Sequence, residues 1–306
     1  MKEGKLKNLL RALKHGAINL SMCNIDKNSF GGKTNISAED ANRMIYDYLV
    51  SGEPLSVLRM GFVELDFFGE KEHTNLLPGV CHRGHLSKVM FTSKEDEEYY
   101  ISLLEDAYKS ADINTTWKSS RSEHLLLKKF SPSSAICDAT IVEPYFFKNP
   151  WSSALEGKKV LVISPFTNTI ESQYKKHDLI FENNVLPEFE LSLVTSVWYH
   201  FSGKDERFNS WTEAFEYLKE KVDEVDFDVA LLSCSSFGVP LCHYIKSIGK
   251  QAIYIGGALQ IMFGIKGNRW DTDPEVNCFY NEHWVRLGED NSAQVNKSSL
   301  DSGCYW

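Results

Sequence analysis

The residues best suited to chemistry lie where apolar runs break into polar turns. The fullest case spans Asp228 to Trp270. An apolar strand over 228–233 enters the small-residue turn Cys234-Ser235-Ser236-Phe237-Gly238. Val239, Leu241, Cys242, Ile245 and Ile248 then recur close to helical spacing, up to Gly249. A second strand, Gln251 to Ile255, ends in Gly256-Gly257, which permits close backbone approach to a ligand. This is a β-α-β unit, in which strand ends and their loops face a ligand crevice. Its exit loop carries Gln260, Lys266, Arg269 and Trp270. Lys266 and Arg269 suit an anionic ligand such as a diphosphate, and Trp270 or Phe263 can stack on a base or sugar.

Two further junctions share this design. In Ser56–Glu64 a strand end carries Arg59, then Gly61, then a helix start with Glu64. A charge within an apolar strand is costly unless paired, so Arg59 is either a ligand contact or the ion-pair partner of Glu64. Glu64 also favours a helix N-terminus. In Val160–Tyr174 a strand leads to Ser164, Thr167, Asn168 and Thr169, donors for a phosphate or sugar at a helix N-terminus. The competing reading is capping of that helix by Thr167 or Asn168.

These turns need a scaffold, and the chain supplies one. Ser37-Ala38-Glu39-Asp40 is a helix start, closed by Gly52 and Pro54. Leu55–Met60 reads as a buried strand, 94–110 as a helix, and 112–117 and 134–142 as strands. Lys158–Ser164, a helix near 168–181, a strand near 189–197 and a helix near 211–222 follow. Strands alternating with helices predict an α/β fold, a doubly wound and mostly parallel sheet with helices on both faces. The expected organisation is a basic helix and loop over 1–36, one α/β domain over 37–270 with a possible subdivision near 150, and a polar tail over 271–306 that wraps or frays.

Composition bounds the function. The formal charge of −9 over 306 residues, with no basic stripe, argues against nucleic acid as a partner. No run approaches the ~18 apolar residues of a membrane span, and the N-terminus lacks the apolar core of a signal peptide. Seven scattered cysteines suit reduced thiols, so a cytoplasmic location is expected. Within residues 1–15, Lys2, Lys5, Lys7, Arg11 and Lys14 stand against Glu3, while Leu6, Leu9, Leu10 and Leu13 share one helical face. That helix either packs on the fold or makes peripheral contact with an anionic membrane at its inner face. Cys81-His82 and His85 have zinc-ligand character without a second ligand pair. GxGxxG, Walker A and GxSxG motifs are absent, and Cys234 has no identifiable His partner as a nucleophile.

The stretch Leu55–Leu65 resembles the Arg, Gly, Asp-x-Glu turn of GT-D type bacterial glycosyltransferases, and Asp228–Gly257 is similar to their C-terminal β-α-β unit. Glu143-Pro144-Tyr145, Asn149-Pro150-Trp151, Gly157–Phe166, Leu186–Phe189 and Phe263–Trp270 look like an uncharacterised branch among polysaccharide-biosynthesis genes. The resemblance covers most of 40–270 and implies a Rossmann-type GT-D fold, a nucleotide-sugar donor, with a UDP-sugar expected, and a divalent cation, Mn²⁺ or Mg²⁺, on the Asp-x-Glu carboxylates. Phe62 stands at the Asp, leaving Glu64 as the metal-ligand candidate.

The expectation is therefore a transferase moving a sugar from a nucleoside diphosphate to a glycan or lipid-linked acceptor in surface-polysaccharide assembly. Arg59, Glu64, Lys266 and Arg269 are its catalytic candidates. Ser164, Thr167, Asn168, Ser235, Ser236, Gly238, Gly256, Gly257 and Gln260 are its donor-binding candidates, and Glu143 and Glu171 its candidate bases. The alternative is a non-catalytic sugar-nucleotide-binding or scaffolding relative; a pyruvyl or phosphoryl transferase acting on glycans is a third reading.

Overall fold

A computed structural model describes residues 25–72, 90–197, 199–200, 203–288, 303 and 305–306. The basic segment 1–15 and the Cys81-His82-His85 cluster lie outside the described residues.

Seven parallel strands form the central sheet: β1 (Leu55–Leu58), β2 (Ile113–Thr116), β3 (Ala135–Asp138), β4 (Lys159–Ser164), β5 (Glu190–Thr195), β6 (Val229–Leu232) and β7 (Gln251–Tyr254). Their spatial order is β3-β2-β1-β7-β6-β4-β5, and every pairing is parallel. Strands covered on both faces read as near-continuous apolar runs, as Val229-Ala230-Leu231-Leu232 does. Alternate side chains serve opposite layers. Leu161, Ile163, Ala230 and Leu232 join one core; Val160, Val162, Val229 and Leu231 join the other. The sheet takes strands from both sides of residue 150.

Helices cover both faces. On the first lie α2 (Phe62–Lys71), α3 (Lys94–Ser110), α4 (Arg121–Phe130), α6 (Trp211–Asp223) and α7 (Gly238–Ser247). On the second lie α1 (Ala38–Ser51), the turns of 139–155 and α5 (Thr167–Tyr174). Local sequence sets their ends. In α1 the Ser37 hydroxyl accepts from the Asp40 N–H at 3.1 Å, Ala41, Ile45 and Leu49 are buried one turn apart, and Gly52 stops the helix at φ +74°.

The structure also departs from the sequence reading. The strand expected over 134–142 stops at Asp138, whose carboxylate caps a tight helical turn at Ala139–Val142. The helix expected near 168–181 ends at Tyr174, and a separate turn of helix covers His177–Ile180. Helix α4 was not anticipated, although Ser120 caps it by accepting from the Glu123 N–H. Of the segment 271–306, expected to wrap or fray, residues 271–288 pack on the fold: Val285–Arg286 pairs with Ile265–Lys266, and Val276, Trp284 and Leu287 are buried in the second core. Among the described residues, no helix is long and apolar enough to cross a membrane.

Candidate functional site at the carboxyl edge of the sheet

In a parallel sheet all strands deliver their following turns to one edge. The turns after β1, β7, β6 and β4 therefore stand side by side, bringing Arg59, Gly256, Ser235 and Ser164 to four adjacent strand ends. At β4 and β6 the chain departs in opposite directions, through α5 to β5 and through α7 to β7, the kind of switch point where ligand crevices open.

Arg59 anchors one half of this edge. Its Nη1 donates to the Ile255 carbonyl at the end of β7 (2.7 Å), and Nη2 pairs with Glu143 Oε1 at 2.5 Å. Both side chains of that pair are only 11% exposed. The other Glu143 oxygen accepts from the Tyr145 hydroxyl at 2.8 Å. Burial, then the Glu143 carboxylate, holds the Tyr145 phenol well above the ordinary tyrosine value, so it remains a donor. The guanidinium lies 4.6 Å from the Trp117 ring centre, and the Trp117 indole N–H donates to the Met60 carbonyl at 2.9 Å. Phe62, 54% exposed, packs 4.9 Å from Trp117.

The sequence left Arg59 as either a ligand contact or the ion-pair partner of Glu64; the structure pairs it with Glu143. Glu64 sits in the first turn of α2 and folds back against Gly61, where a side chain would collide with its carboxylate. The Tyr100 and Tyr254 phenols are both raised well above the ordinary value, first by burial and then by the Glu64 charge.

The second half is built around the β7 exit. Gly256 takes φ +67°, a left-handed conformation that only glycine adopts at no steric cost, and a Cβ there would face Arg59 Nη1 at 3.9 Å. The Arg269 guanidinium lies 5.0 Å from the Tyr305 ring centre and 5.6 Å from that of Trp270. The Lys266 ammonium lies instead over Tyr280, at 5.1 Å. The two cations read from sequence as one phosphate clamp thus stand on different aromatic partners. Gln260, 3% exposed, donates from Nε2 to the carbonyls of Lys266 (2.9 Å) and Tyr305 (2.8 Å).

No protein-family model, curated protein or solved structure matches the chain.

Several donor-binding candidates have structural employment. The Ser164 hydroxyl accepts from the Phe166 N–H at 3.2 Å, and Thr167 bonds to Thr195 on β5 at 2.8 Å. Neither Thr167 nor Asn168 caps α5; the capping position is Phe166, which has no side-chain cap, and Asn168 is exposed. Ser236 is buried and its hydroxyl accepts from the Trp211 indole at 2.9 Å. At Gly238 a Cβ would strike the Tyr254 ring, whose hydroxyl donates to the Ser235 carbonyl at 2.9 Å. Ser235, in the turn after β6, holds φ +50°, a strained value for a serine. Burial pushes the Cys234 thiol far up, which removes it as a nucleophile. Of the candidate bases, Glu143 has both oxygens engaged, and Glu171 is exposed on α5.

A divalent cation needs oxygen donors that converge. Phe62 supplies none, Glu64 is turned to Gly61, and among the described residues no three His, Cys, Asp or Glu side chains stand together as ligands. This donor set does not fit a resident metal ion. Sequence reasoning missed Glu143 as the partner of Arg59, Trp117 as its stacking surface and Tyr305 as a neighbour of Arg269. The Glu-Pro-Tyr stretch at 143–145 was the available signal, since an acid and a phenol beside a proline turn mark a fixed polar pair.

Proposed function

We propose that the chain is a transferase that binds a nucleoside-diphosphate sugar at the carboxyl edge of its sheet and passes the sugar to a glycan or lipid-linked acceptor. The observation that carries this reading is the convergence of four strand-following turns on adjacent strands, with Arg59 beside the Gly256-Gly257 turn. The resemblance of Leu55–Leu65 and Asp228–Gly257 to GT-D enzymes supports the substrate class and the link to surface-polysaccharide assembly.

In this reading Arg59 is a positioning residue. Its bonds to Glu143 and Ile255 fix the β1 and β7 ends relative to each other. Arg269, on the exit loop, neutralises the charge that develops on the leaving diphosphate, a role that a fixed cation fills without reorganisation. Gly256-Gly257 lets the phosphate groups approach the backbone. No step is routed through a metal ion.

Isothermal titration with UDP, UDP-glucose and other nucleotide sugars, in EDTA and in Mn²⁺, tests the proposal together with donor hydrolysis. Binding and hydrolysis that persist in EDTA are expected. Failure of every nucleotide sugar to bind would refute it. A second reading, a binding or scaffolding protein without turnover, is favoured by Phe62 and the turned-back Glu64; tight binding without hydrolysis or transfer is its signature.

A further inference from the structure

We infer that Tyr305 and Trp306 occupy the nucleotide crevice as an internal competitor and must leave before a nucleoside diphosphate binds there. The inference rests on the proposed reading of this edge and adds its regulation. The Tyr305 ring lies against Gly257, where a Cβ would come within 2.9 Å of the ring and 3.4 Å of the hydroxyl. The same ring lies beneath the Arg269 guanidinium, 6.3 Å from Trp270 and 6.3 Å from Phe166 in the β4–α5 turn. Trp306 meets Phe166 edge-on at 6.2 Å.

The hydrogen bonds complete the resemblance to a ligand. The Tyr305 carbonyl accepts from Gln260 Nε2 at 2.8 Å, and the Trp306 carbonyl accepts from the Asn268 N–H at 2.9 Å. An aromatic ring between a glycine backbone and a guanidinium, with two oxygens held by nearby N–H donors, is the pattern that a base and its phosphates would present. Gly257 and Gln260, donor-binding candidates in the sequence, and Arg269, a catalytic candidate, each contact this segment. The fit is incomplete: Gln260 Oε1 and Trp306 Nε1 are buried without a hydrogen-bond partner. A buried polar atom left unpaired weakens the closed arrangement, so a ligand that pairs with Gln260 Oε1, while the freed Trp306 indole N–H regains water, can displace the segment.

The probe is UDP, titrated calorimetrically into the full chain, a chain lacking residues 303–306, and the full chain carrying Tyr305→Ala with Trp306→Ala. A competitor lowers apparent affinity by the fraction of molecules in the open state, so both changes should tighten UDP binding by about tenfold or more. A synthetic peptide of residues 301–306 added to the shortened chain should reverse the gain. If the shortened chain fails to fold by circular dichroism, the double substitution carries the test. UDP binding by the full chain that is unchanged or weakened in the altered forms would overturn the inference and leave the nucleotide site standing. Absence of UDP binding in all three forms would overturn the inference; the proposed function falls with it only if every other nucleotide sugar also fails to bind.

Discussion

Removing Glu143 should damage the protein through Arg59 more than through anything Glu143 itself contributes. The pair is 2.5 Å apart with each side chain 11% exposed, so neither charge has much water to fall back on. Breaking a buried pair by deleting one partner costs ~3–5 kcal/mol, because it strands the other charge. Arg59 keeps its bond to the Ile255 carbonyl and its place over Trp117, which sets the expectation for Glu143→Ala at the lower end, about 3 kcal/mol. With an unfolding entropy of ~2.1 cal/mol/K per residue, a chain of 306 residues should lose on the order of 5 °C in melting temperature. Arg59→Met combined with Glu143→Leu should cost less than either Arg59→Met or Glu143→Leu alone, since no orphaned charge remains. The assay is thermal and urea unfolding of the four proteins, read as a double-mutant cycle. Single changes worth under ~0.5 kcal/mol, or a double change equal to the sum of the singles, would refute the account of the pair as buried and mutually dependent.

Three further outcomes are expected. Gly238→Ala should destabilise by ~1–3 kcal/mol or more, because the Tyr254 ring it meets is tied to the Ser235 carbonyl; Tyr254→Leu in the same chain should recover part of the loss in urea melts. His124 and His243 are both held below the ordinary histidine value of 6.5, first by burial. A base whose folded value lies below its unfolded value favours the unfolded chain when protonated, so their contribution is present above pH ~6.5 and is lost as pH falls through the depressed folded values. Unfolding measured from pH 7.5 to 5 should show this slope, and His124→Asn with His243→Asn should flatten it. Arg269→Ala should lower donor hydrolysis or transfer by roughly 10²–10³ while leaving the melting temperature within a degree or two, since it removes an electrostatic contact on an exposed loop; unchanged turnover would remove Arg269 from the mechanism.

Much of the scaffold was legible because it depends on local pattern. The run Val229-Ala230-Leu231-Leu232, the cap at Ser37 with its stop at Gly52, and the small residues after β6 and β7 each specify their element without distant help. Helix α4 was overlooked although Ser120 and Glu123 stand at capping-box spacing and Leu126, Leu127 and Phe130 share its buried face; what has no local signal is the second task of Glu123. Its carboxylate accepts from the Thr116 and Ser119 hydroxyls and from the Trp117 and Ser119 N–H groups. That arrangement joins β2 to α4 and has no periodic signature.

The sequence alone determined that strands and helices alternate and that Arg59, Ser164, Ser235 and Gly256 follow strands, because hydrophobic period and turn chemistry act over a few residues. Only the tertiary structure decided which turns are neighbours and what each polar group touches. Placing β1 beside β7 brings Arg59 to the Ile255 carbonyl, and the turns after β3 bring Glu143 to it from 84 residues away. The partner of a buried charge is chosen by sheet order and by how the chain crosses the sheet, and both are settled by the burial of two whole apolar faces. The same closure seats Tyr305 and Trp306 against Gly257 and Phe166, a contact between residues with no local pattern in common.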